Sequence, residues 1–204
     1  MGSRILSAIL VLASFAAVAS SAQTNPAAIG PYRNQVPFTI GGGASNLNVD
    51  WGHNRMYGYT VWVDWRPTNL PKVLDGLGIE IQGRDVNFGR GPTLPSVFRQ
   101  DTLGGGPIYT YRRYPLVQPY GKFLIEYGRL NAGGFGVLTN KVYAPSFGLQ
   151  VHAIRNVWVR AEYEYQVWPN LLGGQIDSYK GKSLDPQGFT LGVSYDFHSV
   201  LRFR

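Results

Sequence analysis

Three histidines are the first residues to test for chemistry: His53, His152 and His198. A hydrolase or acyltransferase built on one of them needs a nucleophile, a base and an orienting acid within reach of each other. Ser199 follows His198 directly, but adjacent residues of an extended chain point to opposite faces, which makes a poor dyad. His152 could meet Ser146 or Glu126 in an enclosed lumen, but lipid tails could not enter a filled one. Glu162 and Glu164 lie two apart and so share one face of a strand, as paired catalytic carboxylates would. Arg160 is on that same face, and ion pairing accounts for the cluster without catalysis. The glycine runs 41–43 and 104–106 open no helix and precede no Lys-Ser/Thr pair, so they are not phosphate loops. With no cysteine in the chain and no spaced set of metal ligands, no metal, no cofactor and no enzymatic activity are expected.

The elements that hold these residues are legible around them. In "VWVRAEYEYQVW" (157–168), Val157, Val159, Ala161, Tyr163, Tyr165 and Val167 alternate with Arg160, Glu162, Glu164 and Gln166. A period of two is the pattern of a strand with unlike faces. Eight such runs are expected, at 38–50, 56–66, 76–86, 102–113, 119–130, 142–154, 157–167 and 187–197. The fourth is interrupted by Gly104–Gly106 and by Pro107, and proline inside a strand usually marks an edge or a bulge. Connections of 5, 15, 11 and 19 residues (51–55, 87–101, 131–141, 168–186) alternate with gaps of 9, 5 and 2. Long loops at one end and tighter turns at the other suit an up-and-down barrel in an outer membrane.

Alternation alone does not say which face is wet. A soluble lipocalin-like binder and a membrane barrel are inversions of one another, and the distribution of charge separates them. One face carries Phe38, Ile40, Tyr57, Val61, Val63, Ile79, Ile81, Phe123, Ile125, Phe147, Leu149, Phe189, Leu191 and Val193, without a charge inside the bands. The other carries Asp64, Arg66, Glu80, Arg84, Arg112, Lys122, Glu126, His152, Arg160, Glu162, Glu164 and Asp196. That set includes all four glutamates of the chain. Gly41, Gly43, Gly128, Gly148 and Gly192 share this charged face. Glycines would make room in the lumen of an eight-stranded barrel, which is only wide enough for side chains to fill. Near-balanced charge suits an interior of ion pairs. Arg160, Glu162 and Glu164 place two acids against one base on one strand, so cations must reach them from across the lumen. Trp51, Trp65, Tyr114, Tyr120, Tyr143, Trp158 and Trp168 fall at strand ends, as the aromatic girdles of a membrane barrel do.

Targeting agrees. Arg4, an apolar stretch from Ile5 to Ala19 and Ser20-Ser21-Ala22 make a secretory signal peptide with cleavage near Ala22. The apolar run falls short of the ~20 residues that span a membrane. Residues 23–36 form an irregular lead, 37–197 the barrel, and 198–204 a short tail or an extension of the last strand toward Phe203. Without Arg4, 18 basic residues face 12 acidic ones, a net charge of +6. That excess favours anionic surfaces, but no basic run exceeds two residues, so nucleic acid is not indicated.

The last run, "TLGVSYDF" (190–197), resembles the assembly signal of outer-membrane barrels through Thr190, Gly192, Tyr195 and Phe197. With "RAEYEYQVWPN" (160–170), the chain resembles the small eight-stranded outer-membrane β-barrel family, the OmpA transmembrane-domain/OmpX-like group. The resemblance covers 37–197. It implies an all-β, eight-stranded antiparallel up-and-down transmembrane barrel with a polar, filled lumen, both termini periplasmic and four loops outside. It also implies a monomer embedded in outer-membrane lipid and lipopolysaccharide, recognised by the barrel-assembly machinery. The implied role is structural or interactive, in membrane integrity or surface contact, with no wide pore. An external partner is not specified. A lipid A acyl hydrolase or transferase is the alternative from another class. Two features depart from the family pattern: "HSVLRFR" follows the final aromatic, and no peptidoglycan-binding domain follows the barrel.

Overall fold

The computed structural model describes residues 38–48, 55–67, 70–71, 74–88, 98–132, 136–169 and 183–197. The signal peptide, the lead, Trp51, His53, His198 and the tail after Phe197 lie outside the described residues. Eight strands follow one another: β1 (Phe38–Asn48), β2 (Arg55–Trp65), β3 (Leu77–Asn87), β4 (Phe98–Thr110), β5 (Val117–Ala132), β6 (Val137–Ile154), β7 (Val157–Tyr165) and β8 (Gln187–Asp196). Each pairs antiparallel with its neighbour, and β1 pairs with β8, so the sheet is a closed barrel. Closure leaves no edge strand, which spares every strand an unpaired row of backbone donors and acceptors.

The period-two pattern is realised with the apolar side outward. Val61, Ile81, Leu103, Ile125, Phe147, Leu191 and Val193 are exposed around the wall. Asp64, Glu80, Arg84, Lys122, Glu126, Arg160, Glu162 and Glu164 are buried inside. This is the inverse of a soluble barrel and the arrangement that a lipid solvent demands. The eight strands run from 9 to 18 residues, against about 9–11 needed to cross a bilayer.

The largest boundary differences from expectation fall at the start of β4 and around the β5–β6 connection. β4 begins at Phe98, four residues early, and keeps one register with β5 on both sides of Gly106 and Pro107. The proline is therefore accommodated without a shift. The connection expected at 131–141 is mostly strand: β5 runs to Ala132 and β6 starts at Val137. Its Gly-rich centre hid the turn position, while Leu138, Thr139 and Val142 pair normally with Leu130, Arg129 and Glu126. At the opposite end, β6 and β7 turn through Arg155 and Asn156, with Arg155 at φ 42° and a register shift between His152 and Ile154.

The candidate functional site: a charged lumen under an apolar plug

The middle of the lumen holds one connected set of side chains. β3 and β7 face each other across it. Arg84 grips Glu164 with both terminal guanidinium nitrogens, one of them at 2.9 Å. Arg160 reaches back from β7, donating to Glu80 at 2.7 Å and to its neighbour Glu162 at 2.5 Å. Lys122 on β5 sits between them, 2.5 Å from Glu80, 2.9 Å from Glu162 and 2.6 Å from the Gln82 carbonyl oxygen. Arg84 and Lys122 thus bring cations to β7 from facing strands. Asp64 pairs with Arg66 on its own side at 2.8 Å and lies 3.8 Å from Arg160.

Neutral groups complete the network. Gln82 donates to Glu164 at 3.0 Å and to Glu126 at 3.3 Å. Glu126 has no ion-pair partner among the described residues. Gln166 donates to Glu164 at 2.7 Å, Gln100 to Gln166 at 2.6 Å, and Arg84 to the Thr60 hydroxyl at 2.9 Å. Thr60, Ser45 and Thr190 form a hydroxyl row at 2.5 and 2.8 Å. Desolvation of these charges would be costly singly. The bidentate and shared contacts offset it.

Three members of the expected charged set stand apart. Arg112 lies in the β4–β5 turn, its nearest acid being Asp75 at 3.9 Å, because β4 ends at Thr110 and the alternation stops before it. His152 is half-buried at the turn end. Its ring rests on Trp158, 4.8 Å between centroids, and its Nε2 meets the Arg155 carbonyl. Asp196, at the end of β8, accepts a hydrogen bond from Thr39 rather than joining an ion pair. Nor do His152, Ser146 and Glu126 form a catalytic set. Ser146 donates to the Ala144 carbonyl and to Glu164, both at 3.4 Å.

The aromatic girdle is also corrected. Trp65, Tyr114 and Tyr143 are exposed, as interface residues would be. Tyr120, Trp158 and Trp168 are buried in the lumen. Tyr120 shares its face with Lys122, and its hydroxyl donates to Glu162 at 2.6 Å while accepting from Arg160 at 2.7 Å. The Arg160 guanidinium lies 4.6 Å from the Trp62 ring centre and 4.4 Å from that of Tyr120, a cation–π sandwich. Gly41 and Gly148 leave space for these rings, since a Cβ on either would overlap Trp62 or Tyr120.

A second part of the lumen lacks polarity. At the long-loop end, Leu47, Met56, Val86, Leu130, Val142, Trp168 and Leu184 form a buried apolar cluster, with Phe88, Phe98 and Leu138 against it. After β7 the chain bends inward, and Trp168 and Leu184 exchange backbone hydrogen bonds of 2.9 and 3.2 Å. The Trp168 indole donates to Gln166 at 3.0 Å, and its ring occupies the space that a side chain on Gly128 would need. The lumen, expected to be polar, is thus polar in the middle and apolar at this mouth. Strand parity could have found the plug, because Leu47, Val86, Leu130 and Val142 share the faces of Ser45, Arg84, Glu126 and Ser146.

Along β8, Thr190 and Gly192 face inward and Tyr195 faces outward. Phe197 follows the strand and donates its backbone N–H to the Phe38 carbonyl at 3.2 Å. No group of His, Asp and Glu among the described residues could hold a metal ion.

Comparison with solved structures finds similar barrels. Neisserial surface protein A is 15% identical, with a TM-score of 0.61 over 79% of this chain and 97% of that one. OprG from Pseudomonas aeruginosa is 12% identical, with a TM-score of 0.52 over 81% and 98%. Ail of Yersinia pestis, solved in complex with the heparin analogue sucrose octasulfate, is 19% identical, with a TM-score of 0.51 over 78% and 96%. The comparison with curated proteins gives no match. The family model described as outer membrane protein beta-barrel domain matches residues 8–197, and with a closed, inside-out, eight-stranded barrel behind that match, the chain belongs to this outer-membrane β-barrel family.

Proposed function

We propose that this protein is a sealed, non-catalytic barrel of the bacterial outer membrane, with its termini toward the periplasm and its long connections outside. Its role is to stabilise the membrane and to present surface to contacts there. It works as a monomer and is inserted by the barrel-assembly machinery, which reads Tyr195 and Phe197 at the end of β8. The observation that carries this reading is the filled lumen. Arg84, Lys122 and Arg160 are tied to acids of facing strands, and Trp168 closes the end nearest the loops. Among the described residues, such an interior supports the wall and favours a filled lumen over an aqueous path or a pocket for a lipid tail.

Three measurements test it together. The protein should remain with outer membranes after a carbonate wash, and the purified barrel should give no stable conductance in planar bilayers. Release into the wash, long-lived conducting steps, or liberation of fatty acid from lipid A by the pure barrel would each overturn the reading.

A further inference from the structure

β5 and β6 run past the apolar wall at the long-loop end. Ascending β5, the outward residues are Phe123, Ile125, Tyr127, then Arg129 and Asn131. Descending β6, they are Val137, Thr139, Lys141, then Tyr143. Charge therefore begins on both strands directly above a tyrosine. Lys141 is paired in register with Tyr127, and Arg129 with Thr139, so the two cations lie one pleat apart on neighbouring strands, within about 7–8 Å at the backbone.

The surrounding charges leave this pair available. Arg99 is engaged by both nearby acids, Asp85 at 2.8 Å and Asp101 at 3.0 Å. Tyr59 also donates to Asp85, at 3.2 Å. Asp101 is the register partner of Arg129 across β4–β5, yet its carboxylate is bonded to Arg99. Arg129 and Lys141 are exposed and have no ion-pair partner among the described residues.

We propose that Arg129 and Lys141 form a phosphate clamp for a phosphorylated glycolipid of the outer leaflet. The inference rests on the reading that the long-loop end faces outward. Arginine matches phosphate oxygens with a planar fork, and lysine adds a compact charge. The source is a lipid rather than a free anion because the clamp continues the lipid-facing wall. Tyr127 and Ile125 lie directly below Arg129 and are exposed to receive acyl chains. At this boundary between water and hydrocarbon, the attraction is screened less than in bulk solvent.

The test uses the whole mature barrel refolded into phosphatidylcholine vesicles doped with bisphosphorylated lipid A. The lipid A that remains with the protein after extraction in mild detergent and affinity capture is quantified. A parallel arm uses dephosphorylated lipid A, and another adds excess inorganic phosphate to the extraction. Wild type should retain phosphorylated lipid A about tenfold better than the R129Q/K141Q double variant. R155Q, at the opposite end, should behave as wild type, and R129K/K141R should keep most of the retention. Heat-modifiable gel mobility confirms that each variant is folded. Equal retention by R129Q/K141Q, equal loss in R155Q, or retention of dephosphorylated lipid A overturns the clamp. Full displacement by inorganic phosphate overturns its assignment to a lipid. The vesicles carry lipid A in both leaflets, so these failures would concern the clamp alone and not the direction in which the barrel sits.

Discussion

At the scale of the residue, the lumen is decided by how many partners each charge has. Glu162 is the clearest case, because one of its oxygens accepts from Lys122, Arg160 and Tyr120 together. Glu162→Gln keeps the shape and removes the charge, which leaves Lys122 and Arg160 to share Glu80, with only the longer Asp64 contact besides. Breaking a buried pair in this way costs about 3–5 kcal/mol, so the urea midpoint for unfolding from lipid should fall clearly. Adding Lys122→Met removes the surplus cation and should recover part of the loss. Strictly additive losses in the double variant would mean that the two groups are not coupled. Most of this set could be read from the sequence, because every glutamate fell on one parity. The cross-lumen assignments could not, since they depend on which strands oppose each other in the closed barrel. The aromatics misled for a related reason. Tyr120, Trp158 and Trp168 sit at strand ends, as girdle residues do, yet their parity is that of Lys122, Arg160 and Gln166, and parity is what the barrel obeys.

At the scale of the element, each strand is a wall with one face in lipid. Val193 on β8 is exposed between Val159 of β7 and Gly42 of β1, and Leu191 and Tyr195 flank it on the same face. A charge there must be solvated by hydrocarbon, which costs about 2–4 kcal/mol near the bilayer midplane. Val193→Arg should therefore lower the unfolding free energy of the barrel in lipid vesicles by that amount. Ser194→Ala, on the inward face beside it, should cost far less, and equal losses would contradict the assignment of faces. All eight strands were visible in the sequence because a lipid-facing side must be apolar along its whole length. Their ends were not. Near the loop end of β1 and β2 the inward residues Leu47 and Met56 are themselves apolar, so the contrast between faces fades. In β5 and β6 the reverse happens: the outward face turns polar at Arg129 and Lys141, and strand past the apolar band reads as loop.

At the scale of the whole molecule, the proposed seal has two parts. The charged network blocks the middle with ion pairs spanning β3, β5 and β7, and the apolar cluster around Trp168 closes the mouth above it. The two seals fail differently, and that allows them to be separated. Trp168 is fully buried, and the space beside Gly128 is fitted to its ring. Trp168→Ala removes a large side chain from a packed site and should cost about 3–5 kcal/mol of stability, read as a lower urea or thermal midpoint in vesicles. It should not open the barrel to ions, because Arg84, Lys122 and Arg160 remain locked to Glu164, Glu80 and Glu162 beneath the plug. An ion entering from the mouth would have to displace a paired charge from a buried site, which is costly. Planar bilayers holding the Trp168→Ala barrel should thus stay silent while its unfolding midpoint drops. Stable conducting steps from that single variant would show that the ion-pair network is permeable and that the apolar plug alone seals the protein.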